Sequence, residues 1–211
     1  MTEEAESVEV IEALRTRGAE AVAEFFARHR QRLAMTVHLR MDRRIKPRVD
    51  EDDILQESCI NAISRLHHYL NDPSMSFFVW LRLIVGQTLC DVHRRHLGSK
   101  KRDAGREVSI RGGRQAAASS LSIVGMFVGQ LTSPSQAAIK AELTGLLEEA
   151  LEQMNPIDRE VLSLRHLEEL TNSEVAEVLN IEPKAASIRY IRAIGRLKGV
   201  LKRFPGFFDE T

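Results

Sequence analysis

The chain has 211 residues, 43% of them hydrophobic, which is enough for two small domains or one of medium size. The formal net charge is zero, but residues 1–27 carry −5, residues 82–106 carry +5 and residues 146–182 carry −8, a segregation that indicates partners of both signs. The two cysteines form no CxxC pair, and the acidic start is unlike a signal peptide, so we expect a cytoplasmic chain. No run approaches the ~18 apolar residues of a membrane span, so we expect no insertion in a membrane.

The first third of the chain predicts helices. The stretch from Glu3 to about Arg40 has apolar residues three and four apart, with a break near Gly18. A stronger helix runs from Asp50 to Leu70, and its acidic start suits the helix dipole. Periodicity alone favours an ordinary acidic first turn there. The core stripe of this helix is Leu55, Cys59, Ala62, Ile63 and Leu66, and a second face carries Asp53, Gln56, Glu57, Ile60, Asn61 and Ser64.

After a turn near Pro73, an aromatic stretch leads into a helix that becomes basic at its end. Aromatic side chains beside a basic helix can stack on unpaired bases, but for most of Phe77, Phe78 and Trp80 the sequence favours a place in the hydrophobic core. Further along, Cys90, His93 and His96 lie at i, i+3 and i+6 of one helix, a spacing at which all three do not converge on one ion, so we expect no metal site.

Residues 98–134 hold six of the twelve glycines and an Ala/Ser patch at 116–120, which predicts a linker. The apolar run from Leu121 to Leu131 is unlike a free tether, and we expect it to pack on something. Helical periodicity resumes from Gln136 to Met154.

The end of the chain predicts a helix-turn-helix. One helix runs from Pro156 to about Glu169, a capping box at Thr171–Glu174 opens a short helix, and Pro183 starts a third. The segment from Lys184 to Arg203 has seven basic residues and no acidic one, which favours nucleic-acid binding.

The third helix has two faces. Its apolar stripe is Ala186, Tyr190, Ala193, Leu197 and Leu201. The opposite face carries Ile188 and Ile191, where a solvated helix would be polar; contacts with thymine methyl groups explain them, and so does a protein contact. The alternative for the whole helix is a solvated basic terminus.

Enzyme motifs are absent from the sequence. It contains no GxGxxG, P-loop, GxSxG or HExxH pattern. We therefore expect a protein that is not an enzyme, with no cofactor and no small-molecule substrate.

Three segments in order resemble the bacterial sigma factors of the extracytoplasmic-function group. DEDDILQESCINAISRL resembles the family's region two, as does SFFVWLRLIVGQTLCDVHRRH, and MNPIDREVLSLRHLEELTNSEVAEVLNIEPKAASIRYIRAIGRLK is similar to region four. The resemblance implies an all-α fold of two small helical domains, with region two at 1–97, a flexible linker at 98–134 and the region-four helix-turn-helix at 135–211.

The resemblance also implies site residues. The acidic helix would bind core RNA polymerase through Asp53, Gln56, Glu57 and Asn61. The loop from about Leu70 to Ser76 and the following helix would bind the minus-ten element through Ser76, Phe77, Trp80, Gln87, Arg94 and Arg95. The last helix would bind the minus-thirty-five element through Lys184, Ser187, Ile188, Arg189, Ile191, Arg192 and Arg196.

Two functions are the main candidates from the sequence, and a sigma-like RNA-binding protein, which the Phe/Trp-rich helix leaves open, ranks below them. In the first, an alternative sigma factor binds core RNA polymerase and promoter DNA, and an anti-sigma protein that clamps both domains is the usual partner of such factors. In the second, a stand-alone helix-turn-helix repressor or activator binds a palindromic operator as a dimer without polymerase.

Overall fold

The structure is a computed structural model of the chain and describes residues 3–97, 107–110, 113–131 and 137–202. Contacts divide the chain into two compact units, Met1–Ala104 and Gly105–Thr211. The fold is helical, as predicted, with one short β-hairpin in the second unit.

The first unit is a bundle of five helices. They are α1 (Glu3–Arg17), α2 (Ala19–Arg28), α3 (Arg30–Arg40), α4 (Glu51–Asn71) and α5 (Phe77–Leu97). The break that the sequence predicts near Gly18 separates α1 from α2, and Gly18 has the positive φ of 54° that only glycine adopts readily. A second break, at His29, has no glycine or proline to signal it in the sequence.

Helix α4 forms where the sequence places it. The Asp50 carboxylate caps its first turn and accepts a hydrogen bond from the Asp52 N–H at 2.9 Å. Helix α5 packs along α4, and their cross-helix contacts show that they run antiparallel. The centre of this unit is fully buried at Val22, Leu33, Val37, Ala62, Leu81 and Val85.

The second unit begins with the hairpin. Strands β1 (Glu107–Ile110) and β2 (Gly113–Ala116) are antiparallel, with Glu107 opposite Ala116. The helices that follow are α6 (Ser120–Leu131), α7 (Ala137–Glu152), α8 (Pro156–Leu162), α9 (Asn172–Leu179) and α10 (Pro183–Leu201), and a π-helical turn at Ser163–Leu167 extends α8.

Part of the segment predicted to be a linker is folded here. Helix α6 packs against α7 and buries Ile123, Val124 and Val128, each at most 1% exposed. Just before it, the N–H of Ala118 donates to the carboxylate of Glu160 at 3.1 Å. Residues 98–106, 111–112 and 132–134 of the predicted linker lie outside the described residues.

Candidate nucleic-acid interface

Helix α9 is the scaffold of the helix-turn-helix, and its capping box is formed as predicted. The Thr171 hydroxyl accepts from the Glu174 N–H at 3.2 Å, while the Glu174 carboxylate accepts from the Thr171 N–H at 2.8 Å. Both bonds satisfy N–H groups that a helix start leaves unpaired. Val175 and Val178 are buried beneath it, which fixes α9 on its unit.

The turn between α9 and α10 is held by two asparagines. Asn180 ends α9 in the left-handed conformation, with φ 52°, and the Ile181 N–H bonds back to the Ala176 carbonyl at 3.0 Å. The Asn172 side chain spans the turn, donating to the Pro183 carbonyl at 2.9 Å and accepting from the Ser187 hydroxyl at 3.1 Å. The angle between scaffold helix and recognition helix is therefore fixed by side-chain bonds.

Helix α10 buries one face and exposes the other. Ala186, Ala193 and Leu197 of the predicted core stripe are buried, and Tyr190 is half-buried. On the opposite side Lys184, Ile188, Ile191, Arg192 and Arg196 are exposed. The predicted polarity of this helix therefore matches its placement.

Three of the residues expected to bind the minus-thirty-five element already have partners within their unit. Arg196 stays exposed and donates from Nη2 to the Gln153 side chain at 3.3 Å. Arg189 donates from Nη1 to an Asp158 oxygen at 2.7 Å, and both side chains are largely buried. Ser187 donates to Asn172. Since these bonds hold Arg189 and Ser187 inside the unit, we give them a positioning role, whereas Lys184, Ile188, Ile191, Arg192 and Arg196 form the outward surface.

A second contact positions α10 from its middle. The Tyr190 hydroxyl lies 2.9 Å from Nε2 of His166 in the π-helical turn, and Phe127 of α6 meets the His166 ring edge-on at 6.0 Å. Partial burial and the neighbouring Arg165 lower the pKa of His166, which favours the neutral ring. Sequence reasoning missed this cluster because its members lie far apart in the chain.

In the first unit, the exposed face of α4 carries the residues expected to bind polymerase. Asp53 and Gln56 are exposed, Glu57 is half-exposed, and Ile60 beside them is 67% exposed. The other two acids of the first turn pair with side chains of the same unit: Glu51 lies 2.9 Å from His38, and Asp52 lies 2.7 Å from Arg30. For these two residues the interpretation as an ordinary acidic first turn holds.

Asn61 differs from its neighbours on α4. Its Nδ2 donates to the Thr88 hydroxyl of α5 at 3.0 Å, and the side chain is half-buried. This bond ties the two long helices together. We therefore assign Asn61 a structural role in addition to the polymerase contact that the resemblance implies.

The residues expected at the minus-ten element separate into two groups. Phe77 and Trp80 are 4% and 8% exposed and stack at 5.5 Å within an aromatic cluster, so they fit the core alternative and offer no free face to a base here. Ser76 and Gln87 are half-buried, and Gln87 accepts from Arg65 at 2.8 Å. Arg94 and Arg95 are exposed.

Arg94 and Arg95 at the end of α5 are paired with acids. Arg94 bonds to Asp91 one turn earlier, while Arg95 donates to Glu57 of α4. Asp53, Glu57, Arg95 and His96 line one open depression on this unit. The geometry thus brings residues expected to bind polymerase next to residues expected to bind DNA.

Metal sites and membrane helices are two further possibilities for a helical chain. Within residues 3–97, 107–110, 113–131 and 137–202, no three His, Cys, Asp or Glu side chains are grouped as metal ligands. Among the same residues, no helix combines the length and the apolar character needed to cross a membrane.

Comparison with known protein families identifies the helix-turn-helix. Residues 144–197, which include α8, α9 and most of α10, match the model of the family "Sigma-70, region 4". Over these residues the C-terminal unit is similar to Sigma-70 region 4. The resemblance to sigma factors that the sequence predicts is thereby confirmed.

Solved structures extend the likeness beyond region 4. The structure of CnrH in complex with the cytosolic domain of CnrY matches with a TM-score of 0.52 at 20% identity, covering 93% of this chain and 97% of that one. At this identity the likeness shows a shared fold. No curated protein sequence matches the chain at a significant level.

Proposed function

We propose that this chain is an alternative sigma factor that binds core RNA polymerase and directs promoter-specific initiation of transcription. The observation that carries the proposal is the region 4 helix-turn-helix, whose recognition helix presents Lys184, Arg192 and Arg196 outward and has no acidic residue. Such a surface suits the phosphate backbone and the major groove of promoter DNA, at the minus-thirty-five element.

The first unit would supply the polymerase contact. Its α4 face combines Asp53, Gln56 and Glu57 with the exposed Ile60, an acidic surface with an apolar centre. That pattern is typical of a protein interface, where an apolar anchor is surrounded by charges that set orientation. The resemblance to sigma region two gives this face its partner, the core enzyme.

The minus-ten contact would come from the residue before α5, from the middle of that helix and from its exposed end. We propose Ser76, Gln87, Arg94 and Arg95 for it, and we leave Phe77 and Trp80 in the core. Because Gln87 and Arg95 already bond to Arg65 and Glu57, DNA would have to replace or share these bonds.

Because one chain carries both the minus-ten and the minus-thirty-five contact, promoter binding can be strong although each contact alone is weak. The second contact becomes intramolecular once the first is made, so the effective local concentration is high. We propose that the two domains are joined by the part of segment 98–134 that precedes the hairpin, because the hairpin and α6 belong to the second unit. DNA affinity without polymerase should be low and should fall steeply with salt.

A protein partner would regulate the factor. CnrH, which shares the fold, is bound by the cytosolic domain of CnrY. By analogy we propose that an anti-sigma protein binds this chain, with the exposed Ile60 as one contact. Since core RNA polymerase is cytoplasmic, we place the protein in the cytoplasm.

The experiment is a pull-down with sigma-free core RNA polymerase. The double variant Asp53→Ala, Gln56→Ala should lose most of the binding, because both side chains are exposed on the α4 face. The matched control is Glu20→Ala, Gln31→Ala, which removes one acid and one amide from exposed positions of α2 and α3. Equal binding by both double variants would count against the proposal.

The alternative function is tested with the same samples. A stand-alone helix-turn-helix repressor would be a dimer in solution and would shift operator DNA without polymerase. We expect instead a monomeric mass and a gel shift that requires core enzyme. A stable dimer that shifts DNA alone would favour the repressor.

A further inference from the structure

Two isoleucines form an apolar face among the basic residues on the outward side of α10. Ile188 is 42% exposed and Ile191 is 68% exposed. At 100° per residue, Lys184, Ile188, Ile191 and Gly195 fall within ~60° of the helix circumference. Scattered exposed apolar residues need no explanation, but two isoleucines side by side on one exposed face do.

The position of this apolar face on α10 turns it toward solvent. It lies opposite the buried stripe of Ala186, Ala193 and Leu197, so it points away from the domain. The capped scaffold helix and the Asn172 bonds to Pro183 and Ser187 hold the first turns of α10 in place. In helix-turn-helix proteins these first turns are the part of the recognition helix that meets base edges.

The charge of α10 indicates what kind of molecule binds this face. From Pro183 to Leu201 the helix has five basic residues and no acidic one, so the occupant is polyanionic. Within a DNA duplex, the apolar group that the major groove displays is the 5-methyl of thymine. An exposed Gly195, with nothing within 4 Å of an added Cβ, leaves room for the groove wall.

We propose that Ile188 and Ile191 are specificity-determining residues that read thymine methyl groups in the major groove of the upstream promoter element. The inference rests on the proposed function and names the chemistry that its recognition helix detects. The element therefore contains thymine at one or two positions that face Ile188 and Ile191, while Lys184 and Arg192 contact the flanking phosphates.

The test begins with selection. The full chain bound to core polymerase is used to enrich duplexes from a randomised pool, and each thymine of the enriched upstream element is replaced in turn by deoxyuridine, which lacks only the methyl group. Replacement at one or two positions should weaken binding about fourfold each, the value expected for one buried methyl group. The other thymines should show no effect.

Variants assign the effect to the two side chains. Ile188→Ala and Ile191→Ala should each abolish the deoxyuridine effect at one position, because the methyl group then has no apolar partner. Arg192→Ala is the matched control, which should weaken binding to all duplexes and keep the deoxyuridine effect. Both isoleucines are exposed, and circular dichroism should show all variants folded as the parent chain is.

Three results would overturn the inference: an enriched element without thymine, equal binding of thymine and deoxyuridine duplexes, or isoleucine variants that keep the full deoxyuridine effect. Weaker core binding by the isoleucine variants with an unchanged deoxyuridine effect would show instead that the face contacts protein. Core binding of the parent chain is measured separately, so failure of the proposed function is distinguished from failure of this inference.

Discussion

Arg95 of α5 donates from Nη2 to both carboxylate oxygens of Glu57 of α4, at 2.9 Å each. Glu57 belongs to the face expected to bind polymerase, and Arg95 to the helix end expected to bind promoter DNA. The two side chains are 43% and 54% exposed, so either partner can reach the pair. A ligand that engages one of the two side chains competes with the other.

Breaking this pair should change stability little and binding selectively. An exposed ion pair contributes about 0–1 kcal/mol, so Glu57→Gln and Arg95→Ala should each shift the free energy of unfolding by no more than that. Trp80, the single tryptophan, lies in the same unit and reports its unfolding in urea by fluorescence. Core polymerase binding should fall for Glu57→Gln and remain for Arg95→Ala.

The comparison also identifies the contacting group. If Arg95→Ala weakened core binding as much as Glu57→Gln does, the intact pair and not the carboxylate would be the polymerase contact. A Glu57→Gln variant with unchanged core binding would remove Glu57 from the interface.

Removing the Asn172 side chain should loosen the helix-turn-helix. Asn172→Ala deletes two hydrogen bonds across the turn and should cost about 1–2 kcal/mol of stability in the second unit. Hydrogen exchange over residues 172–201 should become faster, and promoter affinity should fall. The control is Asn155→Ala, which removes the cap of α8 and leaves the turn intact. Equal exchange at residues 183–190 in both variants would argue against the clamp.

Asn180 tests the conformation of the turn. Its φ of 52° is costly for a residue with a Cβ, so Asn180→Ala should lower the stability of the second unit by about 1 kcal/mol. Asn180→Gly should be neutral within ~0.5 kcal/mol, because glycine adopts this conformation freely. Thermal unfolding followed by circular dichroism compares the two, and a glycine variant less stable than the alanine variant would contradict the assignment.

The stability of the first unit should depend on pH through His93. Burial lowers the pKa of His93, Arg44 adds to the effect and the Asp42 carboxylate opposes it, while Nε2 of the ring accepts the Asp42 N–H at 3.2 Å. Since the folded pKa lies below the unfolded value of about 6.5, this stabilisation is present above pH 6.5 and is lost as pH falls below it.

Urea unfolding followed by Trp80 fluorescence at pH 7 and pH 5 measures this dependence. We expect lower stability at pH 5, and a smaller difference between the two pH values for His93→Gln. His68→Gln, at an exposed position, should keep the full difference. Asp42, whose pKa the Arg44 side chain lowers to about 2, should contribute a separate loss only below about pH 4. An unchanged pH dependence in His93→Gln would exclude its role.

Local signals in the sequence were sufficient for much of the fold. Asp50 before α4, the Thr171–Glu174 box and Pro183 at the start of α10 act within one helical turn, so their effect is visible in the sequence itself. The π-helical turn at Ser163–Leu167 and the positive φ of Glu169 were not foreseen, because they follow from how α8 packs and ends rather than from a glycine or proline.

The candidate site could be predicted from the sequence only where local periodicity determines which side chains face outward. Periodicity separates the outward Ile188 and Ile191 from the core of α10, and the structure agrees. It does not reveal that Arg189 is held by Asp158, because Asp158 is distant in the chain. For Phe77 and Trp80 periodicity favours the core, and the structure agrees, whereas the resemblance places both in the site. A sequence match assigns a position to a site, and tertiary packing decides whether its side chain is available.

The most direct test of the account is promoter-dependent transcription with purified protein and sigma-free core RNA polymerase, using DNA from upstream of the protein's own gene and duplexes selected from a random pool as templates. The account predicts a transcript with one defined start site that disappears with Asp53→Ala, Gln56→Ala and is strongly reduced with Arg192→Ala. Failure of the parent chain to bind core enzyme, or transcripts no different from those of core enzyme alone on every template, would contradict it.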